Sequence, residues 1–406
     1  MGPRRRITAA ASAFALTGCV AVATGAAAAP AKPEIVAVPS GGSITVHWRG
    51  NGHGHGMSQY GARGAAIKGL NAAKIVAFYF PGTTLATLPS SRIRVNLSEA
   101  PADTTVFAGT SGLALTGYET LPTTGYRYFR LVPSRTGLRL QGQREGKWHS
   151  LKNGLPARAD FHSSVHWVQA LLADGSSTRY HGRIGAVRVG SGEATVNRLS
   201  LDQYVQGSVP REVPTSWEPA AIRAQAIAAR SYAEAVRASA GTGSKWDICD
   251  TTMCQAYGGM AHYSAAGQLL YTDDHDVLTD NANRVLRYEG APVLAQYSAS
   301  NGGATVYGGE PYLVGKSDPY DSSVSGDPYL QQSRKVTESS LASYFHLKKV
   351  TSIEITKRDG NGPWGGRIVS AVVNGTTPAG KKAHLSTTGF DLGTATGVWT
   401  DYLRFS

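Results

Sequence analysis

Residues 209–232 read VPREVPTSWEPAAIRAQAIAARSY, and the rest of the predicted fold is built around this stretch. One carboxylate, Glu212, stands between Pro210 and Pro214, just before an alanine-rich segment. Proline fixes φ and pushes the preceding residue toward extended geometry, so the two prolines predict a rigid turn. A positioned acidic side chain on such a turn suits a general acid or base. The competing interpretation is a simple lead-in to a helix with a solvated glutamate.

The segment after the turn predicts a long helix over Ser216–Ala238. Thr215 and Glu218 have the spacing of a capping box at its start. Alanines dominate this helix, which leaves Gln225 and Arg230 as conspicuous long polar side chains. If buried, both need hydrogen-bond partners, so they either support the fold or face a substrate.

Composition and charge narrow the class of protein. The chain has 406 residues, 48 glycines and a formal net charge of +12, and only 17% of its residues are charged. This length suits two or three domains, and the glycine content favours a β-rich or α+β fold rather than a coiled coil. The positive charge suits an anionic partner such as a cell-wall polymer, or it serves solubility alone. Nucleic acid is not expected as a partner, because the sequence has no basic stripe with interleaved aromatic residues.

The N-terminus predicts a secretory signal peptide over residues 1–29. Arg4–Arg6 form a basic region, an apolar alanine-rich run follows, and small residues precede Pro30. We therefore expect a secreted, extracytoplasmic protein associated with the cell wall. Two alternatives stay open, because Leu16–Cys19 resembles a lipoprotein box that would place a lipid on Cys19, and an uncleaved leader would act as an anchor. A membrane is expected as a partner only in those two cases.

Cys249 and Cys254 are the cysteines that follow the leader. Outside the cytoplasm, an isolated close pair is most simply a disulfide. Zinc would need four ligands, and no histidine flanks the pair. We expect a disulfide here, and neither a metal nor a cofactor in the protein.

Two glycine-rich segments carry candidate ligand-binding residues. In residues 51–61, NGHGHGMSQYG, a helix start would present backbone N–H groups together with His55, Ser58 or Gln59 to an anionic or sugar ligand. The alternative is a packed glycine turn with structural histidines, since His53 and His55 lack a third metal ligand nearby.

The second segment, residues 298–305, reads SASNGGAT. Its small hydroxyls and free N–H groups suit sugar hydroxyls, which makes Ser298, Ser300 and Gly302 candidate substrate-binding residues. A serine nucleophile is not supported, because the segment has no G-x-S-x-G elbow and no paired base.

The remaining chain divides by composition. Residues 30–44 are rich in proline, alanine and glycine and predict a linker. Residues 91–180 alternate apolar and polar side chains between Gly, Asn, Asp, Ser and Pro turns, which predicts a mainly antiparallel β-rich domain.

Five blocks of the sequence jointly resemble the SpoIID/LytB family of bacterial cell-wall proteins. They are LDQYVQGSVPREVP (201–214), AQAIAARSY (224–232), DTTMCQAYG (250–258), YSASNGG (297–303), and GHGHGMSQYGA (52–62) with YFPGT (79–83). The resemblance implies a SpoIID-like core of α+β class over residues 181–406, containing the long alanine-rich helix.

The order of the blocks departs from the family pattern. The GHG-x-GMSQYGA block normally comes last in the family, whereas here it lies near the N-terminus. The chain therefore looks circularly permuted, which is tolerated where termini lie close together at a surface. Residues 45–90 are then expected to pack on the C-terminal region and complete the core.

The resemblance also implies a function. It points to a lytic transglycosylase that acts on peptidoglycan glycan strands with Glu212 as acid and base. The alternative is a non-catalytic peptidoglycan-binding protein of the LytB type that enhances an N-acetylmuramoyl-L-alanine amidase. Met253 stands where the members proposed to bind zinc have a histidine, which weighs further against a metal.

Overall fold

The computed structural model describes residues 33–101, 103–118, 121–122, 124–273 and 283–406. These residues form an α+β structure, as predicted, in which antiparallel strand pairs dominate. The predicted signal peptide and Cys19 lie outside the described residues. Within the described ranges, no helix combines the length and apolar content needed to cross a bilayer.

Six α-helices lie in the described ranges. They are α1 (Gln59–Ile67), α2 (Ala72–Tyr79), α3 (Leu201–Glu212), α4 (Pro219–Ala240), α5 (Glu338–Tyr344) and α6 (Gly389–Thr396). Five of them begin at a residue whose side chain accepts a backbone N–H that the first turn leaves free. These N-caps are Ser58, Asn71, Ser200, Thr337 and Thr388.

The strands before α3 are β1 (Glu34–Ala37), β2 (Ser43–Trp48), β3 (Met57–Ser58), β4 (Thr84–Thr87), β5 (Arg92–Asn96), β6 (Thr104–Phe107), β7 (Ala114–Leu115), β8 (Tyr128–Pro133), β9 (Leu138–Arg144), β10 (Lys147–Leu155), β11 (Arg158–His162), β12 (Trp167–Leu171), β13 (Ser177–His181), β14 (Arg183–Val189) and β15 (Gly192–Ser200). Those after α4 are β16 (Ile248–Cys249), β17 (Ala261–Tyr263), β18 (Leu269–Thr272), β19 (Arg284–Tyr288), β20 (Ala291–Pro292), β21 (Tyr297–Ser298), β22 (Gln332–Thr337), β23 (Lys349–Arg358), β24 (Ile368–Thr376), β25 (Lys382–Thr387) and β26 (Leu403–Phe405).

Two large sheets build the centre of the molecule. One has the strand order β10-β9-β8-β6-β12-β13-β17-β18, and the other β16-β5-β15-β14-β11-β7. Their alternating apolar side chains share one hydrophobic core, to which Ile93, Phe129, Phe161 and Tyr204 contribute. Strand β13 itself runs across residue 180, so the predicted domain boundary falls inside a strand of the first sheet.

Helix α4 supports three other helices, since α1, α2 and α3 all pack against it. Its alanines allow this close approach on several faces. Ala224 and Ala228 lie in a cluster with Ile75 of α2, whereas Ala226 and Ala229 face the core of the large sheets. The helix that supports the site is therefore positioned from both sides.

The N-terminal segment packs on the C-terminal part of the chain. Strand β2 lies between β22 and β26, antiparallel to both, and β3 runs parallel to β21. Strand β1 pairs with β23, so Glu34–Ala37 is a strand where a linker was predicted. Its apolar residues, Ile35 to Ala37, gain a ladder partner that the composition of residues 30–44 does not reveal. The permuted order relative to the family stays a prediction.

The predicted turn around Glu212 is wrong, because Glu212 is the last residue of α3. Pro210 lies inside this helix and near its end, where a missing N–H removes only one backbone hydrogen bond. Ser200 and Gln203 form a capping box at the other end and fix where the helix begins.

The predicted capping box at Thr215 is also wrong. Helix α4 begins at Pro219 with Glu218 as its N-cap, and no side chain caps it. Glu218 instead pairs with Arg63 of α1, at 3.2 Å between Nε and Oε2. The pair joins residues 155 positions apart, which local spacing cannot reveal.

Candidate active site

An open cleft of about 610 Å³ lies where α3, α1 and the loop after β16 meet, and Glu212 is the one acidic residue in its lining. The lining residues are Asn51, Gly52, His53, Gln59, Glu212, Tyr232, Thr252, Met253, Cys254, Gln296, Tyr297, Ser298, Ala299 and Trp399. They come from six separate stretches of the chain, so the site exists only in the folded protein.

Three donors surround the Glu212 carboxylate. The backbone N–H of Ala256 donates to Oε1 at 2.7 Å, the Gln59 amide approaches Oε2 at 3.5 Å, and the Tyr297 hydroxyl is a further hydrogen-bond partner. Burial raises the pKa of Glu212, and these donors offset only part of the increase. The group is therefore held in place and retains its proton to higher pH than a solvated glutamate.

A buried chain of hydrogen bonds holds the Tyr297 hydroxyl, one of the three donors to Glu212, in place. The Gln255 amide donates to the Tyr297 hydroxyl at 2.9 Å and to the Ala229 carbonyl of α4 at 3.3 Å. The Tyr204 hydroxyl of α3 donates to the Gln255 carbonyl oxygen at 3.1 Å. Because Gln255 ties α3 and α4 to the cleft wall, the position of Glu212 depends on both helices.

The glycine-rich turn before α1 forms another wall. His53 lines the cleft, and its Nδ1 accepts the backbone N–H of His55 at 2.9 Å. Burial lowers the pKa of His53 to about 4, so the ring is neutral at ordinary pH. His55, a predicted ligand-binding residue, lies outside the lining and contacts the Gln296 side chain at 3.2 Å through Nδ1. Across the described residues, no three His, Cys, Asp or Glu side chains cluster as a metal site would require.

Gln59 and Ser298 are the predicted substrate-binding residues that line the cleft with Glu212. Ser298 is buried, and its hydroxyl has no hydrogen-bond partner among the described residues. A buried hydroxyl without a partner is costly, so it favours a polar ligand or water in the cleft.

Ser58, Ser300 and Gly302 were predicted to bind substrate, but the structure uses them internally. Ser58 caps α1 by accepting the Gly61 N–H at 2.9 Å, and Ser300 donates to the Asp327 carboxylate at 2.9 Å. The Gly302 carbonyl accepts the Arg49 Nε at 2.8 Å. All three are buried and outside the cleft lining.

Gln225 and Arg230 also lie away from the cleft lining. Arg230 is 2% exposed and pairs with Asp202 of α3, at 2.9 Å from Nε to Oδ1. Its role is to hold α3 on α4, so of the two interpretations the structural one applies. Gln225 is 1% exposed, and its amide has no partner among the described residues.

Several cleft residues were not predicted from the sequence. Trp399 is 74% exposed and Met253 is 91% exposed, and both line the cleft. What marks these two residues is a large apolar side chain left in solvent beside a polar cleft, and this exposure is visible only in the folded structure. Cys249 and Cys254 are joined in a disulfide, which closes the short loop that carries Thr252 and Met253 along the cleft.

Comparison with known proteins finds a family whose model matches part of this chain. The family model described as SpoIID, stage II sporulation protein, matches residues 190–288, which contain α3, α4 and the disulfide loop. The amidase enhancer of Bacillus subtilis (strain 168) is 31% identical over 141 residues, which cover 33% of this chain and 18% of that protein. Stage II sporulation protein D of the same organism is 29% identical over 202 residues, covering 46% of this chain and 57% of that protein.

A second stage II sporulation protein D, from Bacillus amyloliquefaciens, is 26% identical over 193 residues, covering 45% of this chain and 55% of that protein. The match over residues 190–288 and these relatives support the resemblance of the chain to the SpoIID/LytB family. It spans less than two thirds of the length of these relatives.

Proposed function

We propose that the protein is exported to the cell wall, binds peptidoglycan glycan strands and cleaves them as a lytic transglycosylase. The observation that carries this proposal is Glu212, a held carboxyl group with a raised pKa in an open cleft. The match to the SpoIID family model and the similarity to an amidase enhancer support a function related to the cell wall. The predicted signal peptide supports an extracytoplasmic location.

One carboxyl group is enough for this reaction. Protonated Glu212 donates its proton to the glycosidic oxygen that follows N-acetylmuramic acid, and the bond from that oxygen to the sugar carbon breaks. The resulting carboxylate then removes the proton from the 6-hydroxyl of the same sugar. The 6-oxygen bonds to the carbon that lost the leaving group, which closes a 1,6-anhydro ring and returns the proton to Glu212.

The lining of the cleft favours this route over hydrolysis. Ordinary glycoside hydrolysis uses two carboxylates on either side of the bond. Glu212 is the single carboxylate among the lining residues, and Glu218 is engaged by Arg63. The exposed Trp399 ring offers an apolar surface for a sugar face, and the free Ser298 hydroxyl suits a sugar hydroxyl.

The test is mass spectrometry of glycan strands, with and without stem peptides, after incubation with the protein. We expect 1,6-anhydro products from the wild type. In Glu212→Gln the rate of their formation should fall about 10²-fold or more, because the amide keeps the shape of the side chain but has no acidic proton to donate. Glu218→Gln is the matched control, because it neutralises a half-exposed glutamate outside the cleft and costs only about 0–1 kcal/mol of stability. Absence of anhydro products from both substrates, with glycan binding intact, would refute the catalytic proposal.

The second candidate function is enhancement of an N-acetylmuramoyl-L-alanine amidase without glycan cleavage. It is favoured by the match to an amidase enhancer at 31% identity. The same Glu212→Gln variant separates the two functions. If it stimulates an amidase on purified wall as strongly as the wild type does, and neither releases anhydro sugars, the enhancer function is supported.

A further inference from the structure

A second cavity, of about 640 Å³, lies on the six-stranded sheet beside the C-terminal end of α4. Six arginines line it: Arg92, Arg94, Arg158, Arg183, Arg198 and Arg237. It shares no lining residue with the Glu212 cleft, and the proposed reaction does not use it.

Three of these arginines stand directly opposite one another on adjacent strands, and we call them the arginine row. Arg94 of β5 is in register with Arg198 of β15, which is in register with Arg183 of β14. Directly paired residues point to the same face of a sheet, about 5 Å apart, where like charges repel. Anions on this face would therefore stabilise the three guanidinium groups by reducing the repulsion between them.

The carboxylates of the protein supply only part of that negative charge. Asp247 pairs with Arg94, Asp160 is shared by Arg158 and Arg198, and Glu234 pairs with Arg237. Six guanidinium groups thus face three carboxylates.

The positive charge that has no carboxylate partner lies mainly on two of the six arginines. Arg92 and Arg183 are exposed and make no ion pair in the described part of the chain. Arg198 is 6% exposed, and its Nε lacks a hydrogen-bond acceptor among the described residues. A buried charged donor without an acceptor is costly unless a ligand or water supplies one.

A neighbouring cavity, of about 320 Å³, shares Arg92 and Arg183 in its lining and adds His162 and His166. The two unpaired arginines therefore lie between two adjoining cavities, which together we call the arginine groove. This shape suits a chain with repeated anionic groups better than a single small ion.

We propose that this arginine groove binds a polyol-phosphate polymer, a chain of phosphodiester groups of the kind that a cell wall can carry. Guanidinium forks match phosphate oxygens, and one phosphate accepts from several arginines at once. Nucleic acid is the poorer ligand, because neither cavity has a Phe, Tyr or Trp in its lining on which bases could stack. The proposal rests on the proposed cell-wall location but not on the chemistry of Glu212.

The test is isothermal titration calorimetry of the purified protein with poly(glycerol phosphate), in low and in physiological salt. Poly-L-glutamate and single-stranded DNA of equal charge serve as comparison ligands, and inorganic phosphate tests whether a single anion suffices. The variant is Arg92→Gln with Arg183→Gln, because both side chains are exposed and neither leaves a carboxylate unpaired. Arg135→Gln with Arg404→Gln is the matched control, since it removes the same charge from exposed positions outside both cavities.

We expect the groove variant to bind poly(glycerol phosphate) about tenfold more weakly or worse, and the control to change little. Salt should weaken binding by the wild type. Equal losses in the two double variants would show that only net charge matters and would overturn the proposal. Tighter binding of poly-L-glutamate or DNA than of poly(glycerol phosphate) would overturn it as well. Glu212→Gln should bind the polymer like the wild type, so failure of the catalytic proposal is recognised separately.

Discussion

The ion pair between Asp202 and Arg230 allows a sharp stability prediction, because its two partners differ in burial. Arg230 is 2% exposed, whereas the Asp202 side chain is 29% exposed. The pair fastens α3 to α4 at the end of α3 opposite Glu212. The perturbations are Asp202→Ala and Arg230→Met, each of which removes one partner and leaves the other.

The two substitutions should cost unequal amounts. After Asp202→Ala, the guanidinium stays buried and keeps only the weak carbonyl contacts to Ala226 and Arg284, at 3.4 and 3.3 Å. An uncompensated buried charge costs about 3–5 kcal/mol. After Arg230→Met, Asp202 can rehydrate and still accepts the Asn283 N–H at 3.1 Å, so we expect a cost of about 1–3 kcal/mol.

Urea denaturation followed by far-UV circular dichroism measures both costs as free energies of unfolding. The double variant Asp202→Ala, Arg230→Met should be more stable than Asp202→Ala alone, because it removes the stranded charge. If Arg230→Met destabilises as much as Asp202→Ala, burial does not decide the energetics of this pair and the reasoning is wrong. Glycan binding measured on folded Arg230→Met separately tests whether this residue contacts substrate, and we expect no loss.

Two further predictions concern pH and glycan binding. Burial, with help from the Asp318 charge, raises the pKa of Asp321 to about 7 from an ordinary value of 3.8, so the folded protein holds a proton that the unfolded chain releases. The stability from this retained proton is present below about pH 4 and is lost as pH rises through about 7. The free energy of unfolding of the wild type should therefore fall between pH 5 and pH 8. In Asp321→Asn, thermal melts at these two pH values should show a fall that is smaller by roughly 2–4 kcal/mol. An unchanged fall in the variant would contradict this. Trp399→Ala should weaken glycan binding about fivefold to tenfold in a pull-down assay without changing the melting temperature, whereas Phe390→Ala, an exposed aromatic outside the cleft, should leave binding intact.

The regular elements were predictable where local pattern decides them. Alternation within residues 91–180 indicates strands such as Arg92–Asn96, and the alanine run located α4. Asn71 caps α2 by accepting the backbone N–H of Lys74, only three residues along the chain. These features are local, and no distant partner changes them.

The turn predicted around Glu212 failed for a physical reason. Two prolines within five residues indicate a break, yet Pro210 forfeits only one hydrogen bond in a helix that ends two residues later. The capping box at Ser200 and packing against α4 outweigh that loss. The low helix propensity of proline at position 210 is outweighed by tertiary contacts, as is common when one face of a helix is buried.

The candidate site was only partly predictable. Glu212, Gln59 and Ser298 lie in motifs that suggest chemistry, and the structure places them around one cleft. Ser58 and Ser300 lie in the same motifs but face Asp321 and the interior, because helix capping and burial decide their orientation. A sequence motif identifies a segment near the site, whereas the folded structure decides which side chains of that segment line the cleft.

The contacts that hold the Glu212 carboxyl group come from parts of the chain that no local pattern connects. The Gln59 amide reaches it from 153 positions away and the Ala256 N–H from 44. Gln59 is the first residue of α1, and α1 is held on α4 while β2 pairs with β22 and β26. The N-terminal segment therefore supplies one wall of the cleft and the central strand of a sheet. Sheet pairing depends on register rather than on chain order, so this segment can complete the site from the N-terminus.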